Sequence, residues 1–177
     1  MQQTKMGLVH LYAGNGKGKT TAAVGLAVRA LGCGLRVLFC QFLKDGRSGE
    51  TSALKQLGAT LLHAKESPAF IFQMSEQELA KAQESHRACW EAARAAILAG
   101  EADVAVLDEV LDAVNCGMLA REQLLELIRE RPAGVELVLT GRDPSAELCA
   151  VADYYTVFDC RRHPYAQGTA ARRGIEY

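Results

Sequence analysis

An α/β fold with a mostly parallel sheet flanked by helices is what this sequence predicts, and three observations predict it. Short apolar runs of strand length alternate along the chain with longer segments of helical period. The runs are mostly continuous in their apolar character, as strands covered on both faces require. Polar and glycine-bearing residues follow the runs at their C-terminal ends, where ligands bind in such sheets. At 177 residues, 49% hydrophobic and 23% charged, the chain reads as a single domain (1–177) able to bury a substantial core. No internal repeat, low-complexity tract or linker divides it.

Residues 8–12 read as the first buried strand. From 19 to 31 the residues Ala22, Ala23, Val24, Leu26, Ala27, Val28, Ala30 and Leu31 are apolar nearly all round, which predicts an interior helix ended by Gly32 and Gly34. Residues 35–41 form a second buried strand. Loop chemistry fills 44–50, a short helix covers 51–57 and a strand covers 59–63. Residues 64–74 hold Pro68, Phe70, Ile71 and Phe72 without a clear period and read as a loop. Ser75 and Glu78 make a capping box for a long helix. Its stripe of Leu79, Ala82, Cys89, Trp90, Ala93 and Ile97 keeps helical spacing until Gly100. Residues 103–107 are a strand ending in Asp108-Glu109. After a break around Asn115-Cys116-Gly117, an amphipathic helix spans 121–131 on Leu124, Leu127 and Ile128, and Pro132 and Gly134 stop it. Residues 135–139 are the next strand, with Thr140-Gly141-Arg142 at its end. Asp143 and Pro144 cap a short helix to Ala152, and 154–158 is the last strand.

The chemistry gathers first in Ala13-Gly14-Asn15-Gly16-Lys17-Gly18-Lys19-Thr20-Thr21, between the first strand and the first helix. This is the layout of a phosphate-binding P-loop, with Ala13 where the usual pattern opens on glycine. Glycines let successive backbone N–H groups curl around phosphate oxygens, and the helix N-terminus turns its positive end to them. Lys19 lies along the phosphates and the Thr20 hydroxyl reaches a magnesium ion. A glycine-rich linker would lack the flanking strand and helix. Val106-Leu107-Asp108-Glu109 supplies the partner pattern, a carboxylate at a buried strand end that holds magnesium opposite the loop hydroxyl. Glu109 is either a second metal ligand or a base that activates water; the plainer reading is a carboxylate pair favoured by a helix dipole. Arg142 either binds phosphate or pairs with Asp143. His10, inside a strand, reads as structural, and Trp90 as core. Phe70 and Phe72 are core residues or a cover for a flat hydrophobic ligand. Together these features define a P-loop NTPase-like (RecA-like) magnesium-ATP enzyme, without choosing its acceptor.

A formal net charge of −1 advertises no nucleic-acid or membrane partner. The basic clusters Arg161-Arg162-His163 and Arg172-Arg173 suit either a solvated tail or an anionic substrate. Six scattered cysteines, with no C-x-x-C pair and no histidine at metal spacing, argue against zinc and for buried thiols in a reducing cytoplasm. No stretch has a signal-peptide core or the length of a membrane span.

The assembled motifs resemble the P-loop family of ATP:corrinoid adenosyltransferases. The matching pieces are Gly14 to Ala23, Gln41-Phe42-Leu43-Lys44, Gly49-Glu50, Val106-Leu107-Asp108-Glu109, Thr140-Gly141-Arg142 and Gly174-Ile175-Glu176-Tyr177. The resemblance implies transfer of the 5′-deoxyadenosyl group of ATP to the Co(I) of cobalamin or another corrinoid, with release of triphosphate. It implies that Asn15, Gly16, Lys17, Gly18, Lys19, Thr20, Thr21 and Arg142 bind ATP, with Lys19 and Glu109 catalytic. Thr20, Asp108 and Glu109 would serve Mg2+, and Phe70 and Phe72 the corrinoid, although a tryptophan is common at the second of these positions. It further implies a flavoprotein-type reductant, a homodimer and a C-terminal tail (160–177) over the active site. The N-terminal arm (1–7) departs from the pattern, being shorter than in members that fold theirs over the site. A small-molecule kinase or ATP hydrolase shares the same motif pair, and a nucleotide switch needs only the loop.

Overall fold

The computed structural model of the chain describes residues 7–65 and 74–177. Six strands, β1 (Val9–Ala13), β2 (Val37–Gln41), β3 (Thr60–His63), β4 (Val104–Asp108), β5 (Glu136–Gly141) and β6 (Tyr154–Val157), form one sheet in the order β3-β2-β4-β5-β1-β6. Every strand pair is parallel. The connections carry α1 (Lys19–Gly32), α2 (Gly49–Gln56), α3 (Glu76–Leu98), α4 (Val110–Asn115), α5 (Arg121–Glu130) and α6 (Ala146–Val151).

Alternate residues of the central strands serve two cores. Phe39, Val106 and Val138 pack with Ala23, Ala27 and Leu54 of α1 and α2. Leu38, Leu107 and Leu139 pack with Trp90, Ile97, Leu111, Leu124 and Leu148 on the other face. Because both faces are covered, β2 and β4 are buried at every position, which is why their sequences are unbroken apolar runs. Parallel pairing also brings the C-terminal ends of all six strands to one rim, and there the polar residues collect.

Three elements differ from expectation. The first helix is not interior: α1 lies on one face of the sheet, burying Ala23, Ala27 and Ala30 while Val28 is 42% exposed. Its alanines pack closely against the strands, and its larger apolar residues cover the flanks. Residues 110–115, of which the sequence pattern marked only Asn115 and then as part of a break, form α4, separated from β4 by Glu109 alone. Glu109 makes that turn in the left-handed region, at φ 60°. Ser145, rather than Asp143 and Pro144, caps α6, its side chain accepting from the Leu148 N–H. The capping box of α3 forms as expected between Ser75 and Glu78.

The edge strand β6 is exposed along its length, with Tyr154, Tyr155 and Val157 each about half in solvent at 51%, 50% and 59%. Next to it His10 is structural: its Nε2 sits 2.6 Å from Glu136 Oε1, and the ring stacks on Tyr154 at 4.5 Å. Glu136 also accepts from the Gly7 and Leu8 N–H groups, fixing the entry to β1. All six cysteines are free thiols, but only Cys40 and Cys89 are buried, with their sulfurs 3.4 Å apart. Among the described residues no helix is long and apolar enough to cross a membrane.

Candidate active site

The loop after β1 is shaped by glycines and braced from behind. Gly14 and Gly18 both stand at φ 119°, a region that side chains rarely adopt. A Cβ on Gly14 or Gly16 would meet the Phe158 carbonyl oxygen at 2.5 or 2.7 Å. That closeness is the bond itself: the Gly16 N–H donates to Phe158 O at 2.7 Å, while the Phe158 N–H donates to Ala13 O. The segment after β6 therefore forms the floor of the loop. Asn15 takes part in this floor, its Oδ1 accepting from the Cys160 N–H at 3.1 Å.

Lys19 spans the mouth of the loop, donating from Nζ to Gly14 O at 2.7 Å and Gly16 O at 2.9 Å. Burial lowers its pKa and the nearby Arg142 charge adds to this, against Asp112, Glu109 and Asp108. Arg142 itself is exposed at the end of β5, with its backbone oxygen bonded to the Asn115 side chain. Lys17 is exposed and reaches the other way, to Ile175 O at 2.8 Å. Thr21 is exposed in the first turn of α1. The last residues thus return to the loop, and the Tyr177 carbonyl carbon and oxygen lie 3.8 Å from a Cβ built at Gly49.

Opposite the loop, Asp108 is fully buried and receives four donors. Its Oδ1 accepts from Thr20 Oγ1 at 2.9 Å and Thr140 Oγ1 at 2.8 Å. Its Oδ2 accepts from Lys44 Nζ at 2.7 Å and Gln41 Nε2 at 3.3 Å. The register causes this convergence, because Gln41 is the residue paired with Asp108 across β2 and β4. Thr140 also accepts from the Glu109 N–H at 2.9 Å, which supports the left-handed turn after β4.

Lys44 stands among three carboxylates, with Glu109 at 3.5 Å and Glu50 at 3.7 Å besides Asp108. Burial works against its charge, yet Asp108, Glu109 and Glu50 outweigh burial and raise its pKa. Glu109 is pushed up to about 7, chiefly by burial and further by Asp108 and Asp112, with Lys44 opposing. Leu43, just before Lys44, is left-handed at φ 55°. Such a backbone costs on the order of 1–3 kcal/mol and persists only where neighbours impose it.

The sequence-predicted residues Lys19, Thr20, Asp108 and Glu109 therefore meet at one rim, with Arg142 beside them. Gln41, Lys44, Glu50 and Thr140 join them, though their residue types alone gave no role. Their signal was position, each lying at or just beyond a strand end or at the start of the following helix. Phe70 and Phe72 lie outside the described residues.

A parallel sheet whose first strand feeds a glycine loop, with its lysine at the mouth and its threonine on a buried aspartate, defines a P-loop nucleotide-binding protein. Within that class the chain belongs to the ATP:corrinoid adenosyltransferase family: the family described as ATP:corrinoid adenosyltransferase BtuR/CobO/CobP matches residues 5–177. It is 30% identical to the corrinoid adenosyltransferase of Pseudomonas aeruginosa, across 97% of this chain and 84% of that protein. It is also 30% identical to the corrinoid adenosyltransferase of Escherichia coli, across 99% of this chain and 88% of the relative. Corrinoid adenosyltransferase CobA of Salmonella typhimurium shows the same identity and coverage, 30% over 99% and 88%.

Proposed function

We propose that this chain transfers the 5′-deoxyadenosyl group of ATP to the Co(I) centre of cobalamin or another corrinoid and releases triphosphate. The observation that carries the reading is the joint geometry of Lys19 across the loop and Thr20 on Asp108, in a chain of this family. In the reaction the cobalt supplies the electron pair of the new Co–C bond, and the C5′–O bond breaks with its pair leaving on the triphosphate. No protein nucleophile is required. The chain's work is to hold ATP, orient C5′ and stabilise charge on the leaving group.

In this reading the amides of the loop other than that of Gly16, which Phe158 O takes, cradle the triphosphate, Lys19 neutralises it, and Arg142 adds charge from the side. The oxygen donors Thr20 Oγ1 and Asp108 Oδ1, 2.9 Å apart, with Glu109 nearby, fit a hard cation. Among the described residues no three of His, Cys, Asp and Glu gather as metal ligands, so the remaining ligands fall to phosphate and water. Mg2+ bound there supplies further charge neutralisation on the triphosphate. Lys17 and the returning C-terminal residues support a tail over the site, and Phe70 and Phe72 are assigned to the corrinoid on the family resemblance. The exposed apolar edge at β6 supports a homodimer, and the unpaired cysteines support a reducing cytoplasm. The cobalt is reduced by an external donor such as a flavoprotein.

Phosphorus NMR with ATP, Mg2+ and chemically reduced cobalamin tests the reading. Triphosphate should appear together with the optical spectrum of a carbon–cobalt bond. ADP without triphosphate would assign the chain to kinases or ATP hydrolases instead.

The raised pKa of Glu109 makes metal binding depend on pH. The folded chain keeps this carboxyl protonated up to about 7, whereas the unfolded chain releases the proton near 4.5. Its contribution to stability is therefore full below 4.5 and is lost as pH rises through about 7, as the buried group ionises. A cation requires the ionised form, so Mg2+ affinity should rise with pH toward about 7 and level off beyond it. Calorimetry in buffers of different ionisation enthalpy should show proton release on the acid side of that value. Glu109→Gln should abolish the release; an unchanged release in that variant would move the titration to another group.

A further inference from the structure

Among the described residues only four polar or charged side chains are buried: Gln41, Asp108, Thr140 and His86. The first three belong to the carboxylate cluster. His86 sits away from it, on the buried stripe of α3 at 1% exposure, where an apolar side chain would avoid the cost of desolvation.

Both ring nitrogens have partners. Nδ1 donates to Ala82 O at 2.8 Å, which leaves Nε2 to accept the Leu43 N–H at 3.2 Å. Burial lowers the His86 pKa, which favours the neutral ring that this acceptor requires. Leu43 is the left-handed residue, at φ 55°. The residue before it, Phe42, is fully buried beside the His86 ring at 6.4 Å, and its N–H donates to Asp108 O at 2.9 Å. Two successive amides are thus held from two elements, Phe42 by β4 and Leu43 by α3. The turn they define delivers the Lys44 ammonium to Asp108, Glu109 and Glu50.

We propose that His86 is a positioning residue of the transfer site: from α3 it holds the left-handed turn at Leu43 and so sets Lys44 among the three carboxylates. The proposal rests on the reading above for what the site does; the clamp stands on its own contacts. Without the clamp the turn relaxes toward ordinary backbone angles and Lys44 leaves its place. The carboxylates then lose their counter-charge at the rim where triphosphate and metal must bind.

The test is a double-mutant cycle between His86 and Lys44. His86→Leu removes the acceptor and keeps an apolar side chain, and His86→Gln returns a carbonyl oxygen at about the reach of Nε2. His86→Leu should lower kcat by about 10–100-fold, the scale of a misplacement near 1 Å. His86→Gln should recover most of that loss. In a Lys44→Met background, His86→Leu should cost less than about twofold, because His86 acts on the site through the placing of Lys44. The same fold loss in both backgrounds, or a glutamine variant no better than the leucine variant, would overturn the proposal. Nitrogen NMR of the imidazole in the unmodified protein should show Nδ1 protonated and Nε2 bare, and the opposite tautomer would overturn it as well. This measurement also decides the matter if His86→Leu does not fold. If the unmodified chain forms no triphosphate, the functional reading fails, and the ring nitrogens and the Leu43 amide still judge the clamp.

Discussion

Replacing Lys19 by alanine is expected to lower turnover by about 10²–10³-fold, the loss seen when one preorganised charge-stabilising donor is removed. Lys19 holds Gly14 O and Gly16 O in the described structure, at the mouth of the loop where the leaving triphosphate would lie. The Gly16 amide stays braced by Phe158 when the lysine is gone, so nucleotide binding should survive better than catalysis. The fall should therefore appear in kcat more than in KM for ATP. Lys19→Arg should not restore it, because a planar fork cannot take the place of a compact ammonium between two backbone oxygens. Steady-state rates with pre-reduced corrinoid would measure this. Turnover close to normal in Lys19→Ala would show that the loop does not stabilise the leaving group.

Asp108→Asn is expected to be as damaging, and to lower stability too. Asparagine can keep the oxygen that accepts from Thr20 and Thr140. The other position would become an NH2 group facing the Lys44 and Gln41 donors, which now meet a carboxylate oxygen. A buried donor left facing donors costs about 1–3 kcal/mol. Activity should fall at least about 100-fold through the lost charge opposite Thr20. Adding Lys44→Met should return part of the stability without returning activity, because it removes the donor left unpaired. Thermal denaturation and rates measured on the two single variants and the double variant would check this. An Asp108→Asn protein as stable and as active as the original would remove Asp108 from the centre of the site.

Much of this molecule was legible in its residues because the informative signals are local. The loop from Gly14 to Thr21 needs glycine at left-handed positions and a lysine and threonine at set offsets, and such constraints stay within one short stretch. The strand before Asp108 is an unbroken apolar run because helices cover both of its faces. The capping box at Ser75 and Glu78 spans four residues and formed as its pattern predicts. Where signals were not local, reading failed. Helix α4 begins one residue after β4, and its turn depends on Thr140, a residue of another strand that supports the Glu109 amide. The alanines of α1 looked like the mark of an interior helix, but their small size reflects close packing on one side of a sheet.

Local pattern was enough for the parallel α/β class, the glycine loop, the aspartate at a buried strand end and the family whose motifs the chain carries in order. The other side chains around that aspartate depend on how the strands and helices pack. Pairing of β2 with β4 puts Gln41 beside Asp108, β5 brings Thr140 to its other oxygen, and His86 on α3 holds the turn that carries Lys44. These partners lie between 32 and 67 residues from Asp108 or, for His86, 43 residues from the amide it holds. Residue type shows that such groups can bond, but strand order and register decide which of them meet.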